Sequence, residues 1–242
     1  MTFANIRDIN IQDEKSWKNK IFLTFDIEWA SDDILSYLLD IIEKSDIKAT
    51  FFCTHKTKLL NRLRKNPMIE LGIHPNFNFL LNNDTRYGKT INEVVEYFLK
   101  IIPESVSVRS HCLTQNASIL DSLHKHGQKY DCNTLIPGAL VNDIMPWADF
   151  RKGLIRVPLT WEDDVHCLYK WKFDISYFLK RKGIKVFNFH PVMIFLNINN
   201  ISRYQNVKKL NQDYKGLKRH RFNGIGIKNI LEELINYEQL TH

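Results

Sequence analysis

The sequence predicts an α/β fold in which a parallel sheet curls into a single barrel. Three observations carry that expectation. Short runs rich in β-branched and aromatic residues alternate with amphipathic segments of helical period, the pattern of strands covered by helices. Six or seven such strands fit a ring better than an open row, although an open doubly wound sheet is the alternative the same alternation permits. The side chains able to do chemistry gather where those strands end, the face that carries function in parallel β/α folds.

Taken in order, KIFLTFDI reads as a buried strand, and SDDILSYLLDIIEKS as a helix with Ser31 as its N-cap. IKATFFCT and MIELGIHP are strand-like. TINEVVEYFLKII is a helix whose Thr90 and Glu93 fit a capping box. SVSVRSH follows as a strand, and NASILDSLHKHG as a helix closed by Gly127. KYDCNTL, LIRVPLT, the helix DISYFLKRKG and the strand IKVFNFHP complete the alternation. One domain over residues 1–242 is expected, with a core at about 18–195 and a basic helical appendage at 196–242.

Composition narrows the function classes. With 44% hydrophobic and 12% aromatic residues the chain can fill a core, which excludes general disorder. No apolar run approaches the roughly 18 residues of a membrane span, and the first twenty residues lack an apolar signal core, so a cytoplasmic location is expected. Cys53, Cys112, Cys132 and Cys167 are scattered, which argues against a zinc knuckle or a disulfide framework. The charge is uneven. Residues 201–228 hold eight lysines and arginines against one acid, Asp213, a balance equal to the whole chain's +7. Few aromatics and no known motif accompany them, so a nucleic-acid partner is not expected. A solvated basic face is the plain reading, and contact with a membrane surface or a phosphate-bearing carrier is the alternative.

The strand ends supply the candidate site. Asp26 and Glu28, two residues apart, lean to the same side, where like charges repel unless a cation lies between them. His74 ends the third strand, Arg109 and His111 the next, Glu162 and Asp163 follow LIRVPLT, and His190 ends KVFNFHP. Glutamate and imidazole are ligands for a divalent first-row metal. With a carboxylate as base and a histidine as acid, such a metal equips a site to hydrolyse an amide or ester.

In order along the chain, LTFDIEW, KATFF, ELGIHPNF, VRSH, VPLTWEDD and VFNFHP resemble the motifs of the polysaccharide deacetylases, the superfamily of chitooligosaccharide deacetylase homology. Within it they are most similar to the WbmS-type subgroup, associated with surface-polysaccharide and O-antigen biosynthesis. The resemblance covers about residues 20–192. It implies a distorted or incomplete seven-stranded barrel with Asp26 as catalytic base, Arg109 orienting it, and His190 as general acid tuned by Glu162 or Asp163. It also implies Glu28 and His74 as ligands of a divalent metal, zinc foremost, with cobalt, nickel or manganese as alternatives. Two positions depart from the family. A second histidine is usual four residues after the first, where this chain has Asn78, and the arginine motif carries His111 where proline is usual. His111 is therefore expected to replace the missing ligand. The implied activity is removal of acetyl from an N- or O-acetylated sugar, with a nucleotide-linked or lipid-carrier-linked precursor as a candidate substrate. The alternatives are a non-catalytic carbohydrate-binding protein that keeps the barrel, and a hydrolase of another C–N bond.

Overall fold

The alternation of the strands decides which side chains point into the barrel. In the first long strand Ile21, Leu23 and Phe25 join the apolar layer under the helices, while Phe22 belongs to a separate interior cluster with Phe52, Val157 and Val186. Thr24 and Asp26 continue that inward face toward the strand's C-terminal end. This computed structural model describes residues 1–28, 30–150, 153–210 and 213–239. Trp29 of the opening motif, and Asn211 and Gln212 of the basic segment, lie outside the described residues.

In chain order the strands are β1 (Thr2–Phe3), β2 (Lys20–Asp26), β3 (Ala49–Cys53), β4 (Ile69–Ile73), β5 (Ser107–Val108), β6 (Tyr130–Asp131), β7 (Trp147–Ala148), β8 (Ile155–Arg156), β9 (Trp161–Glu162) and β10 (Lys185–Phe189). The helices are α1 (Asp32–Ser45), α2 (Leu60–Lys65), α3 (Asn78–Leu81), α4 (Ile91–Ile101), α5 (Ala117–Lys125), α6 (Asp163–Leu168), α7 (Ser176–Leu179), α8 (Pro191–Leu196), α9 (Ile201–Val207), α10 (Tyr214–Lys218) and α11 (Ile227–Gln239). The sheet runs β7-β8-β6-β5-β4-β3-β2-β10-β9, with β1 beside β2. Among the described strands every pairing is parallel except that of β7 with β8.

The two ends of this row meet. β8 and β9 are parts of one run, parted by residues 157–160, where Pro158 has no N–H to give to a ladder. On one side Val157 N donates to Asp131 O and Leu159 N to Thr134 O, each at 2.8 Å. On the other, Thr160 N donates to Val186 O in β10 at 3.1 Å. The ring thus consists of β2, β3, β4, β5, β6, the β8–β9 run and β10. It is the distorted seven-stranded barrel expected, interrupted at Pro158 rather than open.

Capping follows the sequence in outline. Ser31 is in extended backbone at the start of α1 but its hydroxyl makes no cap bond, and Asp32 and Asp33 supply the favourable charge there instead. Thr90 accepts from Glu93 N at 3.2 Å. The Glu93 carboxylate reaches Lys89 N, at 2.7 Å, not Thr90 N, so the capping box is shifted by one residue. Gly127 closes α5 with φ of 78°, the left-handed geometry that glycine adopts at least cost.

Inside the ring an apolar floor gives way to polar layers. Glu70 is buried and accepts from Thr50 Oγ1, Ser107 Oγ and Arg7 N at 2.8–2.9 Å. Gly72 is obligatory here, since a Cβ would lie 2.7 Å from the Phe52 ring and from Ser107 O. Outside, α1 buries Ile34, Leu35, Leu38, Leu39 and Ile42. The C-terminal segment joins this outer layer: Ile227, Ile230, Leu231, Leu234 and Ile235 of α11 are buried in the same cluster as α8, each side chain stabilising by about 1.5–3 kcal/mol. Among the described residues, no helix is long and apolar enough to cross a membrane.

Candidate active site

The C-terminal ends of the strands bring the expected residues together on one rim. Asp26 is the last residue of β2, His74 follows β4, Arg109 follows β5, Glu162 ends β9, Asp163 opens α6 and His190 follows β10. Asp26, His74, Glu162 and His190 border a cavity of about 1160 Å³, whose other walls include His55, Phe79, Tyr87 and Tyr204, while Arg109 and Asp163 lie buried behind it.

One group centres on Glu28. Its Oε1 lies 2.9 Å from His74 Nε2 and 2.7 Å from His111 Nδ1, and the two rings stand edge to face with centroids 5.8 Å apart. Burial alone would raise the Glu28 carboxyl, but the bonds from His111 and His74 outweigh it and hold the group far below the usual carboxylate range. The bond to Glu28 raises His111 in turn, against burial. Glu28 has φ of 45°, a left-handed backbone disfavoured for a residue with a Cβ. The Thr54 hydroxyl holds that turn by donating to Glu28 O at 2.7 Å. Asn78, in the position of the family's usual second histidine, is engaged elsewhere, its Oδ1 accepting from Thr114 Oγ1 at 3.0 Å.

The donor set fits a divalent cation. Two atoms bound to one zinc at about 2.0–2.1 Å cannot be more than about 4.2 Å apart. Glu28 Oε1 satisfies that with both imidazoles. One carboxylate and two histidines, with a ligand atom from each within 4.8 Å of the others, match the composition of open zinc sites.

The second group centres on Asp26. Arg109 Nη1 donates to Asp26 Oδ1 at 3.0 Å, and Asn188 Nδ2 to Asp26 Oδ2 at 2.9 Å. Arg109 is fully buried and rests over the Phe52 ring, its guanidinium carbon 4.4 Å from the centroid. His190 Nδ1 lies 2.7 Å from Asp163 Oδ1, and Asp163 Oδ2 takes His190 N at 2.7 Å. Burial works against a charged His190, but Asp163 overcomes it and raises the imidazole well above its ordinary range. Of the two acids expected to tune His190, the structure puts Asp163 in contact. Glu162 instead accepts from Asn188 Nδ2 at 2.9 Å, and burial, with Asp164 nearby, pushes it up to about 8 despite the pull of His190.

Asn188 is the residue the sequence reading missed. Its Oδ1 accepts from Arg109 Nη1 at 2.6 Å and Thr24 Oγ1 at 3.0 Å, while its Nδ2 joins Asp26 to Glu162. The available signal was its place on β10 two residues before His190, which continues the strand's extended backbone by one residue, hence on the same inward face.

The fold and site define a class: a parallel β/α barrel whose strand ends carry a carboxylate–histidine cluster beside an arginine-paired aspartate. Within it, the family of WbmS-like polysaccharide deacetylases matches residues 23–208, and the chain belongs to that family. A crystal structure from Bordetella bronchiseptica, described as a polysaccharide deacetylase involved in O-antigen biosynthesis, is 40% identical. It aligns over 98% of both chains with a TM-score of 0.92. A Mycobacterium smegmatis structure described as a polysaccharide deacetylase is 14% identical, covering 100% of this chain and 96% of its own at a TM-score of 0.52. That second likeness concerns the fold alone. No curated protein sequence matches the chain. Both the family match and the Bordetella alignment extend beyond residue 192, where the motifs in the sequence stop.

Proposed function

We propose that the protein is a metal-dependent hydrolase that removes an acetyl group from an N- or O-acetylated sugar during surface-polysaccharide synthesis. The observation that carries this reading is the convergence of His74 and His111 on one oxygen of Glu28, with Asp26 and His190 bordering the same cavity. Glu28, His74 and His111 would hold the cation, which when bound supplies polarisation of the acyl oxygen and a more acidic water. Asp26, fixed by Arg109 and Asn188, takes the proton of the attacking water. Water oxygen bonds to the acyl carbon, the bond from that carbon to the sugar nitrogen or oxygen breaks, and acetate is released. His190, with Nδ1 committed to Asp163, gives a proton to the departing atom from its other nitrogen. The family membership and the Bordetella relative support the acetylated-sugar substrate class.

The test measures metal content and acetate release together. Purified protein is analysed for bound metal, then assayed with zinc or cobalt on acetylated oligosaccharides and acetylated sugar nucleotides. Stoichiometric metal and acetate release, lost in Asp26→Asn and His190→Ala, are expected. Metal-free protein that releases no acetate from any of these substrates overturns the proposal and leaves the carbohydrate-binding reading.

A further inference from the structure

Four of the eight cations in residues 201–228 converge on one place in the structure. A second cavity, of about 520 Å³, is lined by Lys218, Arg219, Arg221 and Lys228 together with Asn197, Phe222 and the 223–224 turn and Asn229. No carboxylate lines it, and it shares no residue with the active-site cavity. The contrast in lining is sharp: Asp26, Glu28, Asp32, Glu162 and Asp164 face the first cavity, where Lys208 is the one lysine.

The walls of this second cavity are fixed by Asn197, buried at the C-terminal end of α8 with φ of 52°. Its Nδ2 donates to Phe222 O at 3.1 Å and Gly224 O at 2.8 Å, and its Oδ1 accepts from Lys228 N at 3.0 Å. Asn229 Oδ1 accepts from Gly226 N at 3.0 Å. Ile227 N is likewise taken, by Ile198 O. The start of α11 therefore has its N–H groups occupied, and recognition in the cavity falls to side chains. Arg221 is held in place by Tyr37, to whose hydroxyl its Nη2 donates at 2.8 Å, and by the Tyr37 and Phe195 rings. Lys228 pairs with Glu232. The side chains of Lys218 and Arg219 have no ion pair or hydrogen bond among the described residues, so two cations are uncommitted beside two that are positioned.

We infer that this cavity binds a phosphate or pyrophosphate group at a site separate from the catalytic cleft. Four cations, one of them paired with Glu232 behind the wall, and amide groups with no lining carboxylate suit a multiply charged oxyanion, and guanidinium and ammonium groups form charge-assisted bonds to its oxygens. The acid-lined active-site cavity disfavours the same anion. His190 caps the start of α8 and Asn197 its end, so the two sites lie at opposite ends of one six-residue helix, about 9 Å long at 1.5 Å per residue. The inference does not depend on the deacetylase reading.

Titration calorimetry of the whole protein with inorganic pyrophosphate tests it. Saturable binding is expected, with the Kd raised at least about tenfold in Lys218→Ala/Arg219→Ala and no change in Tm without ligand. Co-sedimentation with phosphatidylglycerol vesicles, against phosphatidylcholine vesicles, distinguishes a lipid headgroup from a free phosphate as the source. Binding to the anionic vesicles that the double variant loses supports the inference with the headgroup as source. Absence of binding to both pyrophosphate and anionic vesicles overturns it, and so does an unchanged Kd in the double variant. Because acetate release is not read here, failure of the hydrolase proposal and failure of this one are distinguishable.

Discussion

Asp26, Arg109, Asn188 and Asp163 are all buried and lie in or within one residue of a strand, whereas Glu28 and His111 lie on turns beyond their strands, with side chains 16% and 30% exposed. Asp26 of the first group and both residues of the second face one cavity, yet the two groups are held by different means. The buried group is fixed by the sheet ladder and by interlocking bonds through Asn188. The turn group depends on a left-handed Glu28 and on the Cys112–Leu113 backbone, where φ is 54° and 53°. Left-handed backbone at such residues costs of order 1–3 kcal/mol and persists where its surroundings impose it. The difference teaches that the residues proposed to handle protons are built into the barrel, while two of the three candidate metal ligands, Glu28 and His111, are set on turns and stand to gain most from a bound ion.

Four measurements break or sharpen this comparison. The largest effect is expected from the buried group: Asp26→Asn and His190→Ala should each lower the rate of acetate release by about 10²–10⁴-fold with an unchanged circular dichroism spectrum. Retention of full activity by either would remove the assigned proton transfer. Arg109→Ala should come next, destabilising by about 3–5 kcal/mol because it strips a partner from a buried charge, read as the shift in denaturant midpoint. His74→Ala and His111→Ala should weaken metal binding, with little loss of stability for the exposed His111; equal, undiminished metal content in both would dissolve the turn group. The smallest is Thr54→Val, which frees the Glu28 carbonyl and should cost about 0.5–1.5 kcal/mol together with a measurable fall in metal affinity.

Glu162 supplies a fifth test, in pH. Its folded pKa, about 8, lies above its unfolded value of about 4.3. The folded state therefore holds a proton that the unfolded state releases, and stability contributed by the neutral form is lost as pH rises through that window. Glu162→Gln should flatten the decline in Tm between about pH 5 and pH 8. An identical slope in wild type and variant would show that Glu162 does not titrate there.

Much of the rim was legible from residue order. Acids, histidines and an arginine at the ends of successive parallel strands must share a face, because all strands of a parallel barrel end on the same side. That reasoning placed Asp26, His74, Arg109, His111 and His190 without coordinates, and the departure of Asn78 from the family's pattern prompted the inference that His111 is the replacement ligand. Asn188 escaped it because an amide inside an apolar strand looks like an interruption until its neighbours are known. The choice between Glu162 and Asp163 escaped it for a related reason: adjacent residues at a strand-to-helix junction point in different directions, and only the path of the turn decides which meets His190.

The chain by itself determined the alternation of strands and helices, the inward face of each strand and the residue types on the rim, all of which follow from local periodicity. Tertiary structure alone decided that the β8–β9 run closes the ring around Pro158, that Asn188 joins Arg109, Asp26 and Glu162, and that α11 packs on α8 while leaving a cationic cavity at its start. The reason is physical. Period and propensity act over a few neighbouring residues, whereas ring closure, a buried polar network and a cavity wall bring together groups up to 184 residues apart, such as Tyr37 and Arg221, which only packing can place.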